Sequence, residues 1–216
     1  ICEDLWDHNY SKDLVESIKE TGADIIINIS ASPFGDDKLI ERSNLIKAKA
    51  QKTSLPFVYC NMVGSQDELI FDGQSLVYDK DGNLVAKGKA FEEDLLIVDL
   101  KETNQINLSN MKREESIYKA LILGVRDYFH KTGHHKAVLG LSGGIDSSLT
   151  ACIAVEALGK ENVYGISMPS KFSSSNSISD AKALAGNLEI DFREIPINSI
   201  IESFEILMAS DLDKNN

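Results

Sequence analysis

The feature that most constrains this chain is the run Ser142-Gly143-Gly144-Ile145-Asp146-Ser147-Ser148, set between an apolar stretch at 137–141 and a helical pattern at 147–158. A strand that ends in two glycines and opens a helix has few uses. Gly143 and Gly144 let the backbone turn tightly and bring amide N–H groups against an anion. The helix behind them adds the positive end of its dipole. Ser142, Ser147 and Ser148 can donate hydroxyls to phosphate oxygens, and Asp146 can hold a magnesium ion bridging them. The Gly-Lys-Ser/Thr ending of a Walker A loop is absent. Two glycines alone would read as a tight turn with Asp146 or Ser147 capping the helix. The serines, the aspartate and the strand-to-helix setting together favour a phosphate site.

The elements around the loop set its fold class. Ile117, Leu121, Val125 and Tyr128 lie on one stripe of a long helix that stops at Thr132-Gly133. After the loop, strands at 163–168 and 192–197 alternate with a helix at 179–187, and the chain closes on what reads as an unfinished helix. Such alternation predicts a parallel, doubly wound sheet. The first hundred residues have a different grammar. A helix at 13–21, with Leu14 and Ile18 inward, precedes a β-branched run at 23–28 that reads as a strand buried on both faces. A loop at 30–35 leads to a helix at 38–53 with Leu39, Leu45 and Ile46 in the core. Short strands follow at 56–60, 68–72, 75–78 and 84–86, with a hairpin turn at 79–83. A last strand is expected at 95–100. This mixture suggests a layered α/β sandwich in residues 1–100, and the polar, aperiodic stretch 101–112 is the expected linker to 113–216.

Composition excludes several classes. A net charge of −12 argues against a broad nucleic-acid surface, which needs clustered Lys and Arg. No apolar run approaches the roughly 20 residues that span a bilayer, and no basic-plus-apolar signal opens the chain. The expected compartment is the cytoplasm, with no membrane partner. Cys2, Cys60 and Cys152 are odd in number and widely spaced, so neither a disulfide framework nor a CxxC metal pattern is present. Cys60 and Cys152 read as small core residues. His130, His134 and His135 sit at a helix end, where the dipole favours them, without a carboxylate pattern for a metal.

Ser-Gly-Gly-x-Asp-Ser is the signature of the N-type ATP pyrophosphatases, and residues 142–147 resemble it residue for residue. The flanks narrow the resemblance. Residues 118–128 and 138–148, the run Met168-Pro169-Ser170-Lys171-Phe172 with the serines after it, Asp180-Ala181 and Leu184-Ala185 are similar to the NAD synthetases. The resemblance implies ATP contacts along Gly140, Leu141, Ser142, Gly143, Gly144, Ile145, Asp146, Ser147 and Ser148, with Mg2+ on Asp146. It also implies a mobile flap at the Pro169-Ser170 loop, where Lys171 either touches phosphate or is solvated.

Ile1-Cys2-Glu3-Asp4-Leu5-Trp6 resembles the nucleophile strand of the nitrilase superfamily, in the form fused to NAD synthetases, and residues 28–34 and 61–73 match the same glutaminase type. That family uses a Glu-Lys-Cys triad. The resemblance implies that Cys2 is the nucleophile on glutamine, that the Glu3 N–H completes an oxyanion hole, and that Ser32 and Lys38 bind glutamine. Without it, a strand-end cysteine, a turn serine and a helix-start lysine read as structural. The triad Glu and Lys belong upstream of Ile1, and later nucleotide-binding residues belong beyond Asn216. Both ends read as cut, so a piece of a longer enzyme is expected. The fold implied is the C-terminal part of a nitrilase-type αββα sandwich followed by the start of a doubly wound nucleotide-binding domain. The activity implied is that of the glutamine-dependent NAD synthetases: deamido-NAD is adenylated by ATP and amidated with ammonia from glutamine. Coupled pairs of this kind usually assemble, which implies a homo-oligomer. Two other readings stay open, an N-type ATP pyrophosphatase acting on tRNA or another acceptor, and a catalytically incomplete nucleotide-binding fragment.

Overall fold

The computed structural model describes residues 2–6, 14–101, 104–109 and 111–212. They form two compact units, 1–128 and 129–216, each described by itself.

The first unit begins with a 3-10 turn at Cys2–Leu5 and helix α1 (Leu14–Glu20). Strand β1 (Ile26–Ser30), helix α2 (Lys38–Thr53) and strand β2 (Phe57–Asn61) make a parallel crossover, paired from Ile26 with Phe57 to Ser30 with Asn61. Antiparallel strands β5 (Leu76–Tyr78) and β6 (Leu84–Lys87) complete the sheet in the order β1-β2-β5-β6. Between β2 and β5 the chain forms a separate hairpin, β3 (Val63–Gln66) with β4 (Leu69–Asp72). Helix α2 occupies the expected span because Leu39, Leu45, Ile46 and Ala50 recur on its buried side. They meet Ile26, Phe57 and Leu76 from the sheet.

Several expectations are corrected. The run at 23–28 is not a strand buried on both faces: β1 starts at Ile26 and its burial alternates, with Ile27 and Ile29 61% and 70% exposed. Side chains alternate along a strand, and α2 covers only the face that Ile26 and Asn28 share. In α1 Val15 is the core residue, while Leu14 and Ile18 are exposed. Residues 95–100 form no strand. Leu95 and Ile97 are 85% and 93% exposed, and an apolar β-prone run gains little without a ladder partner or a face to cover. Cys60 is exposed, because the alternation of β2 turns Tyr59 and Asn61 inward; Cys152 is half-buried. Strand β3, whose Gly64-Ser65-Gln66 carries little β propensity, is an element the sequence pattern does not announce.

Residues 104–109 are irregular. The Ile106 N–H donates to the Leu84 carbonyl at 2.8 Å, and Leu108 packs on the first core. Helix α3 (Arg113–Thr132) follows, and its first part belongs to the first unit. Its buried residues are Ala120, Ile122 and Leu123, not the stripe through Leu121 and Tyr128, which are exposed. The unforeseen β3–β4 hairpin sets this face. Ala120 and Leu123 pack with Phe34, Ile70 and Phe91, and Asp127 accepts the Ser65 N–H at 2.7 Å.

The second unit carries β7 (Ala137–Gly140), α4 (Ile145–Leu158), β8 (Val163–Ser167), α5 (Ser175–Asn187), β9 (Asp191–Glu194) and α6 (Asn198–Leu212). The strands are parallel in the order β7-β8-β9, as the alternation predicts. A core of Leu141, Ala151, Val163, Ala181 and Ala185 lies under α4 and α5. Gly165 permits the close packing, since a Cβ there would sit 2.7 Å from a Leu141 methyl. No helix among the described residues is long and apolar enough to cross a membrane.

Arg42 is fully buried in the first unit and contacts both Asp72 oxygens, at 2.7 and 2.9 Å. Arg42→Met strands the Asp72 charge in the interior and is expected to lower unfolding free energy by about 3–5 kcal/mol. Glu41→Gln, which breaks an exposed pair with Lys38, should cost no more than about 0.5 kcal/mol; urea unfolding of both variants checks the contrast. The β5–β6 turn supplies an acid-sensitive element. Burial alone would raise the Asp79 carboxyl, but hydrogen bonds from the Asn83 side chain and backbone, Asp81 and Gly82 outweigh it and hold it below the usual carboxylate range. A depressed folded-state pKa contributes stability above the ordinary aspartate pKa and loses it as pH falls through the folded value. Asp79→Ala should therefore lower stability at neutral pH and flatten its fall on the acid side, as measured by unfolding at a series of pH values.

Candidate functional site

The loop follows directly from the packing of β7. The Leu141 N–H donates to the Ile166 carbonyl at 2.8 Å, carrying the ladder one residue past the strand, and the Leu141 side chain is buried. The chain must then turn, and Gly143 does so with φ +78°. A Cβ on Gly143 would lie 2.8 Å from the Ser177 Cα and closer still to its carbonyl oxygen, so the loop touches the first turn of α5 backbone to backbone. Gly144 is different from the expectation. It is extended, with φ −87°, and serves as the N-cap of α4, so only one glycine is needed for the turn itself.

The serines brace this geometry. Ser142 Oγ accepts the Gly144 N–H at 3.2 Å and lies 3.1 Å from Ser147 Oγ. Ser147 Oγ accepts the Ser142 N–H and donates to the Gly144 carbonyl at 3.0 Å, and Ser148 Oγ donates to the same carbonyl at 2.8 Å. All of these atoms lie around the N-terminal turn of α4, where the helix dipole favours an anion. Ile145 and Asp146 are exposed on that turn. Among the described residues no cluster of three His, Cys, Asp or Glu could hold a metal. One free-standing carboxylate beside hydroxyls still suits Mg2+, which is commonly held by one or two carboxylates together with nucleotide phosphates.

A cleft of about 470 Å³ opens at the C-terminal ends of the strands. Gly140, Leu141 and Ser142 form one wall, and Ser167, the last residue of β8, and Met168 form another. Phe172 and Ser177 close it from the segment that follows. Met168 opens the run that resembles the NAD synthetases, whereas Ser167 lies outside every motif, although ligands of parallel α/β sheets gather at carboxyl ends of strands. The flap expected at 168–177 is anchored. Pro169 O accepts the Ile197 N–H at 3.0 Å, and Ser174 caps α5 by accepting the Ser177 N–H at 3.1 Å. Lys171 is paired rather than simply solvated: its N–H donates to Asn198 Oδ1 and its ammonium contacts both Glu205 oxygens, at 2.7 and 2.9 Å. His134 packs edge-on against Phe129 and lies 2.9 Å from the Thr132 hydroxyl.

The expected glutamine residues all belong to the first unit. Cys2 and Glu3 lie in a 3-10 turn instead of a strand; Ile1 and the side chains of Cys2 and Glu3 lie outside the described part. Trp6 follows that turn, and Lys38, at the start of α2, places its ammonium 4.5 Å from the Trp6 ring centre, a cation–π contact. Ser32 is buried between β1 and α2, and its N–H donates to Asn61 Oδ1 at 2.9 Å. Asn61 opens the matched run 61–73, but its contact with Ser32 is visible only in three dimensions.

These features define a parallel α/β unit with a glycine loop suited to an anion, following in sequence a mixed-sheet unit. Residues 1–106 match the carbon-nitrogen hydrolase family and residues 117–216 the NAD synthase family. The glutamine-dependent NAD(+) synthetase of Aquifex aeolicus is 43% identical over 94% of this chain and 42% of its own length. That of Synechocystis is 44% identical over 95% of the chain and 39% of its length. The solved structure of glutamine-dependent NAD+ synthetase from Acinetobacter baumannii, in complex with ADP, is 33% identical, covers the whole chain and 41% of that protein, and superposes with a TM-score of 0.89. Nearly the whole chain is thus similar to the glutamine-dependent NAD synthetases, with a carbon-nitrogen hydrolase segment followed by an NAD synthase segment. It spans about two fifths of the length of the curated relatives it matches.

The two glycines predict opposite outcomes. Gly143→Ala meets both a left-handed φ and the α5 backbone, and should cost more than about 1 kcal/mol and weaken ATP binding at least about tenfold. Gly144→Ala, at an extended position, should cost less than about 1 kcal/mol. Urea unfolding and titration with ATP measure both.

Proposed function

We propose that this chain contributes to the glutamine-hydrolysing synthesis of NAD, with residues 1–100 on the glutaminase side and 113–216 on the ATP side. The observation that carries this reading is the braced Ser-Gly-Gly-x-Asp-Ser loop beside an open cleft at the ends of β7 and β8, in a chain that also holds a carbon-nitrogen hydrolase segment.

On the first side, Cys2 Sγ attacks the carboxamide carbon of glutamine. A thiolate suits this because it forms near neutral pH when a cation lies close. The Glu3 N–H steadies the oxyanion. Ammonia leaves, and water cleaves the thioester to glutamate, freeing the thiol. Ser32 and Lys38 hold the glutamine.

On the second side, ATP lies along Gly140–Ser148, its base in the cleft and its phosphates at the N-terminus of α4. The nicotinate carboxylate of deamido-NAD attacks the α-phosphorus and pyrophosphate departs. Ammonia then adds to the acyl carbon, loses a proton and expels AMP, leaving the amide of NAD. When bound, Mg2+ held by Asp146 would neutralise phosphate charge. Loop amides and the Ser142, Ser147 and Ser148 hydroxyls exchange their internal bonds for phosphate oxygens. A working assembly of more than one copy and a cytoplasmic setting accompany this reading.

Cys2→Ala in the protein that carries this chain is expected to abolish NAD formation from deamido-NAD, ATP and glutamine while leaving the ammonium-driven reaction intact. Asp146→Asn should depress both routes at least about tenfold. Glutamine-driven activity surviving in Cys2→Ala would sink the role given to that thiol.

A further inference from the structure

We propose that Asn61 is a positioning residue for glutamine, acting by fixing the backbone that presents Ser32. The proposal rests on the reading of Ser32 as a glutamine contact.

Asn61 is the last residue of β2 and is buried. Its side chain reaches out of the sheet into the connection between β1 and α2. The amide oxygen accepts the Ser32 N–H at 2.9 Å and the Tyr59 hydroxyl at 3.4 Å. The amide nitrogen donates to the Ser32 carbonyl at 3.3 Å and to the Gly73 carbonyl at 3.0 Å. Only this orientation satisfies the donors and acceptors. A reversed amide would set its oxygen against two carbonyls and its NH2 against an N–H. One carboxamide thus grips both backbone polar groups of Ser32 and ties them to the segment that follows β4.

The place of the grip matters. The β1–β2 ladder ends with Ser30 opposite Asn61, and Ser32 lies just beyond it, where the backbone is irregular until α2 begins at Lys38. Here a side chain does what the ladder no longer can. The clamp uses the Ser32 backbone alone, so the hydroxyl takes no part in it. The Gly73 carbonyl also lies 3.5 Å from an Arg42 nitrogen, which ties the clamp to the buried ion pair. A backbone held this way fixes the point from which the Ser32 side chain departs before glutamine arrives, and such pre-positioning lowers the cost of binding.

The test measures NAD formation in the protein that carries this chain, with glutamine and separately with ammonium. Asn61→Ser removes the grip and should raise KM for glutamine about tenfold or more, leaving ammonium-driven kcat within about twofold. The ammonium rate shows that the protein is folded. Asn61→Asp, which keeps the acceptor but turns two donor contacts into repulsions, serves if Asn61→Ser does not reach that rate. A residue acting through Ser32 must also be redundant with it. In a Ser32→Ala background, Asn61→Ser should add less than about twofold to the glutamine KM. A glutamine KM unchanged by either Asn61 variant overturns the proposal, as does full multiplication of the Asn61 and Ser32 effects. If Ser32→Ala alone leaves KM unchanged, the reading of Ser32 is what failed, and the proposal falls with it.

Discussion

The ion pair between Arg42 and Asp72 organises the polar interior of the first unit. Both side chains are shut off from water, so each is tolerable only because the other is there. Their remaining valences are taken up locally. Arg42 Nε donates to the Lys38 carbonyl one turn back in α2, and Gln74 donates to Asp72 at 2.6 Å. The pair thereby pins the first turn of α2 to the end of β4. Lys87 adds a third charge nearby: burial pushes its ammonium down, and Asp72 partly restores it. Such a pair adds little net stability compared with apolar packing, but it admits one arrangement of the chain around it. Ser32, Lys38 and Asn61 all sit within the framework so fixed.

The second unit is governed by a steric constraint instead. Its polar groups at the loop are exposed and rearrangeable, whereas the approach of Gly143 to α5 is a contact between main chains. Parallel strands supply the rest, because their carboxyl ends all open on one side, and the cleft is bounded by the chain leaving β7 and β8. One unit is therefore held by charge and hydrogen bonds, and the loop of the other by shape.

Much of this was legible in the sequence, for identifiable reasons. The spans of α2, the β5–β6 hairpin and the parallel order of β7, β8 and β9 follow from periodicity, turn residues and alternation, which are local signals. The failures involve partners distant in sequence. The face that α3 buries depends on the β3–β4 hairpin, which a strand as polar as β3 does not advertise. Residues 95–100 have the composition of a strand and, among the described residues, no strand to pair with. Cys60 looked buried because its run is apolar, yet strand pleating decides which alternate residues turn in. The glycine loop was read correctly as a turn at a helix start, but the backbone assigns the positive φ to Gly143 alone. Asn61 and Ser167 owe their places to strand ends meeting in space, which no single stretch of sequence records.

The contact between Gly143 and Ser177 also makes the loop and α5 one mechanical piece. Side chains between two elements can change rotamer and absorb a shift, but touching main chains have nothing to yield. Residues 169–174 run straight into α5 through the Ser174 cap, and Lys171 tethers them to α6. The far wall of the cleft and the glycine turn are therefore joined through a backbone contact that no change of rotamer can loosen.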